Sequence, residues 1–350
     1  MTGEHPKGDR PHEFELIKRF FAPLASDPGS LGLTDDATVY TPHDGHELVL
    51  TKDMLAADVH FFADDPPEAI AAKALRVNLS DLAAKGAVPT AYLLGLGLPD
   101  DWSEDWLERF CSGLSGDQSA FNVVLVGGDT IRSGHGLQIS VTAVGEVPTG
   151  KTVRRNGARA GDVLYVTGTI GDAAAGLKAR LDHGFAKRMG LSDSQHRHIL
   201  DRYLLPQPKV KLAGTIRDFA SASMDISDGL LADAGHLAKA SGIDLLLDLA
   251  AIPLSSALRA LSKADEAIFH ACLNGGDDYE ILATVPADKA QAFEVAAKAI
   301  GCPVTRIGTV QAIKGEKGAD RQAAVQLPTV HLQGPTGPIA LNQFPGFRHF

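Results

Sequence analysis

The sequence predicts an α/β protein in two parts, an α+β N-terminal half followed by an α/β C-terminal half. Three observations lead there. At 350 residues the chain is long for one hydrophobic core. Residues 47–147 run in the order β-α-β-α-β-β, the pattern of a sheet with helices on one side. Beyond residue 162 strands and helices alternate, as α/β domains do. Between these stretches the chain turns basic and Gly-rich, Arg154-Arg155-Asn156-Gly157-Ala158-Arg159-Ala160-Gly161, so the domain boundary is drawn there, at 1–153 and 154–350.

In order, Phe14, Ile17, Phe21 and Leu24 form one stripe, which predicts an amphipathic helix over 13–25. Residues 29–36 read as a Gly-containing loop ending in Asp35-Asp36. Residues 47–51 read as a strand that ends in Lys52-Asp53. Pro66-Pro67 opens a long helix whose Ala69, Ala72, Leu75, Leu79 and Leu82 share a face. Strands at 92–98, 123–126 and 137–147 and a helix at 105–117 complete the first half, with Gly127-Gly128-Asp129 read as a turn. The second half predicts strands at 162–167, 222–226, 243–248, 280–285 and 304–310, with helices from 171, from 207, at 229–241 and at 287–300. Residues 314–320 read as a polar surface loop, and Phe344, Phe347 and Phe350 make the C-terminal end a candidate lid.

The totals exclude several classes. A net charge of −10, with no basic run, argues against a nucleic-acid or membrane surface. Cys111, Cys272 and Cys302 have no C-x-x-C spacing, so neither a disulfide framework nor a zinc knuckle is expected. No apolar run is long enough to span a bilayer and the first ten residues lack an apolar signal core, which predicts a cytoplasmic setting.

The chemistry is carried by carboxylates at the ends of elements. Asp81 sits inside the apolar stretch 78–86, where an isolated carboxylate is costly to desolvate, and Ser227-Asp228 repeats the Ser80-Asp81 pattern downstream. Asp35-Asp36, Asp53, Asp81, Asp129, Asp225 and Asp228 are each a common turn or cap residue, but together they form a hard-oxygen set. Without a thiolate, such a set points to Mg²⁺ and through it to a polyphosphate. Gly127-Gly128 would let backbone approach a ligand, and Arg132 or Arg155 could neutralise phosphate oxygens.

Residues 145–152, Gly-Glu-Val-Pro-Thr-Gly-Lys-Thr, match the phosphate-loop pattern letter for letter. That loop works only where a helix starts at the Lys, and the Gly-rich stretch that follows has no apolar period. It is read as an interdomain turn. His196 and His198 read as a solvated helix face, and His60, seven residues beyond Asp53, as a ligand contact.

Taken together these motifs resemble the thiamine-monophosphate kinases, in the superfamily that also holds aminoimidazole ribonucleotide synthetase and selenophosphate synthetase. The likeness runs nearly end to end, and it is carried most specifically by Asn78-Leu-Ser-Asp81-Leu-Ala and Gly275-Gly-Asp-Asp-Tyr-Glu280. The resemblance implies ATP-dependent phosphorylation of thiamine monophosphate to thiamine diphosphate by an aminoimidazole ribonucleotide synthetase-like fold. It also implies a homodimer in which mixed four-stranded N-terminal sheets pair. By similarity Mg²⁺ is held by Asp36, Thr51, Asp53, Asp81, Asp129, Asp225 and Asp228, with Asp81, Asp129 and Asp225 central to catalysis. ATP meets Gly128, Asp129, Arg155 and Ser227, and the thiamine substrate meets His60, Asp277 and Phe347. Two positions depart from the family pattern: Thr34 replaces a glycine and should stiffen the loop presenting Asp36, and Lys52 replaces Ser or Thr in the metal set. The Lys52 ammonium could stand in for a ligand or for an ion. The rival readings are another ATP-using member of the superfamily, distinguished at His60, Asp277 and Phe347, and a non-catalytic metal and nucleotide binder disabled by Lys52.

Overall fold

The computed structural model describes residues 11–313, 328–334 and 337–339. The expected loop at 314–320, the expected lid at 344–350 and Phe347 lie outside the described residues. Residues 13–24 form not one amphipathic helix but helix α1 (Glu13–Leu16), a π turn over Ile17–Phe21 and a 3-10 turn over Ala22–Leu24. The wider π turn brings Phe20 and Phe21 inward together, while Phe14 stands 84% exposed, so the predicted stripe is only partly the buried one.

The first sheet is formed by β1 (His46–Ala56), β2 (Val88–Leu98), β3 (Val124–Arg132) and β4 (Gln138–Pro148), in the order β1-β4-β2-β3. It is mixed: β2 and β3 run parallel and the other neighbours antiparallel. Helices α2 (Pro67–Ala84) and α3 (Glu104–Phe121) cover one face. Two expectations change here. Strand β1 continues past Asp53 to Ala56, so Asp53 is paired inside the ladder opposite Val141. Gly127-Gly128-Asp129 is likewise no turn but the middle of β3, where a bulge sets Gly127 against Leu93. A Cβ on Gly128 would lie 2.0 Å from the Leu94 carbonyl, which is why glycine stands there.

Helix α2 is buried along nearly its whole length because it packs on both halves: on β1 and β4 of the first sheet and on elements of the second. Its alanines, with Ala71, Ala74, Ala83 and Ala84 fully enclosed, keep both approaches close.

The link at 149–162 leads into the second half, whose elements are β5 (Val163–Thr167), α4 (Asp172–Leu181), α5 (Phe185–Arg188), α6 (Asp193–Leu204), α7 (Ala213–Phe219), β6 (Ala222–Ile226), α8 (Leu230–Ser241), β7 (Asp244–Asp248), α9 (Ser256–Ala264), α10 (Glu266–Leu273), β8 (Glu280–Val285), α11 (Ala290–Ala299), β9 (Val304–Gln311), β10 (Val330–Gly334) and β11 (Gly337–Ile339). They build a seven-stranded sheet in the order β11-β10-β7-β9-β5-β8-β6. Helices α5, α9 and α10 and the last two strands were not predicted. The helix expected from 207 starts only at Ala213, because Pro206 and Pro208 hold the preceding residues extended.

Candidate active site

Strand β1 divides the expected metal residues between its two faces. Thr51 and Asp53 face α2, while Lys52 points to the open face of the sheet. On the α2 side the Thr51 hydroxyl donates to Asp81 Oδ2 at 2.5 Å. The Asp53 amide donates to Asn78 Oδ1 at 3.1 Å, and Asn78 in turn donates to the Ala74 carbonyl at 3.1 Å. Asn78 therefore fastens strand to helix.

Asp225, at the end of β6, completes this group from the second half. Burial pushes its carboxyl well above the usual range, and the charge of Asp81 pushes it further. Burial and the same neighbour raise Asp53 to about 6. Lys85 closes the group: its Nζ donates to the Ser223 carbonyl at 2.8 Å, and its charge interacts with Asp81, Asp225 and Arg155. Burial lowers the Lys85 pKa. Lys85 belongs to the Asn-Leu-Ser-Asp stretch but gives no sequence signal of this role.

Asp228 lies one turn away with Asp233 and His236, their ligand atoms within 4.8 Å of one another. Asp233 accepts the amides of Ser227 and Asp228 at 3.0 Å each, and burial raises it to about 7. It holds the loop that presents Ser227, and its only trace in the sequence is its place at the end of the second Ser-Asp segment.

The remaining expected metal residues, Asp36, Lys52 and Asp129, line a cavity of about 890 Å³ on the other side of the sheet, with Gly128, Ser140, Thr142, Phe14 and Phe21. The Lys52 ammonium donates to Ser140 Oγ. The loop carrying Asp36 passes through left-handed Leu31, Gly32 and Leu33 at φ 50, 63 and 58°. Thr34 follows at φ −108°, with its hydroxyl on the Leu31 carbonyl at 2.7 Å. A threonine is compatible with that backbone, and it ties the loop down.

His60 and Asp277 meet across the two halves. Buried Lys73 of α2 donates to Asp277 Oδ2 at 2.8 Å and to the His60 carbonyl at 2.9 Å. Ser227 joins them through its carbonyl, which accepts the Asp277 amide at 2.9 Å. Arg155 is exposed at the start of the second half.

Two lesser expectations can be compared with the geometry. The phosphate-loop lookalike is the end of β4 followed by a turn, with Lys151 exposed and no helix beginning there. His198, read as part of a solvated face, instead bonds buried Asp172 at 3.1 Å, which raises the imidazole pKa.

Residues 34–147 match the family described as AIR synthase related protein, N-terminal domain, and residues 159–320 the corresponding C-terminal domain. The thiamine-monophosphate kinase of Caulobacter vibrioides is 42% identical over 315 residues, which is 89% of this chain and 87% of that protein. The crystal structure of thiamine-monophosphate kinase from Stenotrophomonas maltophilia superposes with a TM-score of 0.77 at 38% identity, covering 91% of this chain and 96% of that one. AaThiL complexed with AMPPCP and TMP superposes at 0.72 and 32% identity, covering 89% of each chain.

Proposed function

Since the chain belongs to the AIR synthase related family, and within it to the thiamine-monophosphate kinases, we propose that it transfers the γ-phosphoryl group of ATP to thiamine monophosphate in the last step of thiamine diphosphate formation. The observation that carries this reading is the crowding of half-buried Asp53 and Asp81 and buried Asp225, drawn from both halves, into one group whose charges oppose one another. Such a group is short of positive charge and offers only oxygen donors, so Mg²⁺ fits it. Asp36, Thr51, Asp53, Asp81, Asp129, Asp225 and Asp228 would hold several ions. When bound, Mg²⁺ neutralises phosphate oxygens.

The chain's own residues do the rest. Gly128 leaves room beside the nucleotide, Arg155 and Ser227 contact its phosphates, and His60, Asp277 and Phe347 hold the thiamine substrate. The 890 Å³ cavity, walled by Phe14, Phe21 and Gly128, lies on the opposite face of the sheet from Asp53, Asp81 and Asp225 and is not lined by Arg155 or Ser227. The nucleophile is a phosphate oxygen whose second pKa is about 6, so no side chain needs to act as general base. Catalysis then rests on aligning donor and acceptor and on balancing charge.

Residues 1–153 bind ATP and Mg²⁺ and dimerise, and 154–350 complete the site. Dimerisation uses the open face of the first sheet, where Leu50, Met54 and Ile131 are 63%, 61% and 57% exposed. The reaction takes place in the cytoplasm. Among the described residues no helix is long and apolar enough to cross a membrane.

The test is ADP formation by purified protein with Mg²⁺-ATP, with and without thiamine monophosphate, with products followed by phosphorus NMR. Equal amounts of ADP and thiamine diphosphate are expected. Absence of acceptor-dependent ADP from a folded protein that binds ATP would overturn the assignment.

A further inference from the structure

We infer that Lys73 is a positioning residue for the acceptor substrate, a clamp that aligns the backbone at His60 with the carboxylate of Asp277. The inference rests on the kinase reading and names a residue that reading does not use.

Lys73 lies on α2, and its side chain is only 3% exposed. A buried ammonium must find partners in every direction it presents. Here it has three: Asp277 Oδ2 at 2.8 Å, the His60 carbonyl at 2.9 Å and the face of Tyr203, 4.1 Å from the ring centroid. These partners come from the turn after β1, from the segment before β8 and from α6. One cation thus joins the two halves at the residues assigned to the substrate.

Both ends of the clamp are otherwise held by strained or tight backbone. Asp277 and Tyr279 have φ of 73 and 49°, unusual for side-chain-bearing residues. The Tyr279 hydroxyl donates to Asp277 Oδ1 at 3.3 Å. On the other side His60 is folded back onto β1, its Nδ1 accepting the Ala56 amide at 3.1 Å. Asp277 keeps 30% of its side chain exposed. The ammonium therefore sits behind the carboxylate, whose outer edge remains available to N–H donors of the substrate's aminopyrimidine ring.

The test compares wild type with Lys73→Met, reading KM for thiamine monophosphate and KM for ATP separately. Lys73→Met should raise KM for the acceptor about tenfold or more while KM for ATP changes less than about twofold. Lys73→Arg, which keeps the charge, should recover part of the loss. Adding Asp277→Asn to Lys73→Met should cost much less than adding it to wild type, because both changes disable one clamp. Should Lys73→Met fail to fold, Lys73→Gln carries the same comparison, since its amide can still donate to the His60 carbonyl. Equal losses in both KM values, an unchanged acceptor KM or additive effects would each overturn the clamp while wild-type turnover leaves the kinase assignment intact. A wild type without acceptor-dependent ADP would instead overturn the assignment, and the clamp with it.

Discussion

Thr51 and Asp81 join the first strand to the central helix through a 2.5 Å hydrogen bond from hydroxyl to carboxylate. That bond orients Asp81 among like charges, where it raises the pKa of both Asp53 and Asp225. Removing the Asp81 charge should therefore separate stability from function. Asp81→Asn is expected to abolish turnover, by about 10³-fold or more, yet to raise the melting temperature of the metal-free protein by an amount equivalent to about 1 kcal/mol. Calorimetry beside the ADP assay checks both parts, and near-normal activity would count against the metal role.

Burial of two carboxylates, with like charges beside them, sets a pH dependence. Asp53, at about 6, and Asp233, at about 7, bind protons more tightly in the native state than in the unfolded chain, where the ordinary value is 3.8. These two groups thus make the metal-free fold lose stability as pH climbs from about 4 to about 7. Mg²⁺ competes with the Asp53 proton, so its stabilising effect should grow across this window. Melting curves with and without Mg²⁺ at about pH 5 and about pH 7.5 measure it, and an equal Mg²⁺ shift at both would refute it.

Lys52 invites a stoichiometric test. Its ammonium shares the cavity with Asp36 and Asp129 and bonds Ser140. Lys52→Thr should bind one more Mn²⁺ per chain than wild type when titrated and read by paramagnetic resonance. Equal ion counts would show that the ammonium replaces no ion.

A structural prediction concerns Glu280. It is fully buried and accepts from Arg202 at 2.5 Å, from Lys209 at 2.9 Å and from Thr167 at 2.6 Å. Glu280→Ala would leave two cations without their carboxylate, a loss of about 3–5 kcal/mol. Denaturant unfolding reads this directly, and a cost below about 1 kcal/mol would argue that the cations find other partners.

The dimer proposal has its own test. Leu50→Asp on the open sheet face should shift the protein from dimer to monomer in sedimentation without lowering its helix content. A wild type that sediments as a monomer would remove the proposal.

What was readable in the sequence was local. Pro66-Pro67 and the apolar spacing marked α2 and placed Asp81 on it, and the missing helix after Thr152 exposed the phosphate-loop lookalike. What escaped depended on partners distant in the chain. Gly127-Gly128 looks like a turn until the parallel neighbour β2 is present to pair with it. Lys73 stands shortly before the Asn78-Leu-Ser-Asp81 motif, but its meaning lies in Asp277, 204 residues away. His198 resembles a surface residue until α4 brings Asp172 under it.

The alternation along β1 bears on which genetic changes this enzyme can survive. Thr51 and Asp53 face the helix and Lys52 faces the cavity, so the strand tolerates substitutions of kind more readily than changes of number. One codon inserted between Leu48 and Thr51 inverts the parity of everything beyond it, driving the lysine against Asn78 and turning Asp53 outward. The same codon at Gly45, in the turn before the strand at φ 73°, is absorbed outside the ladder. A survey of single-codon insertions should therefore find a sharp edge at His46, with viable alleles before it and null alleles after it.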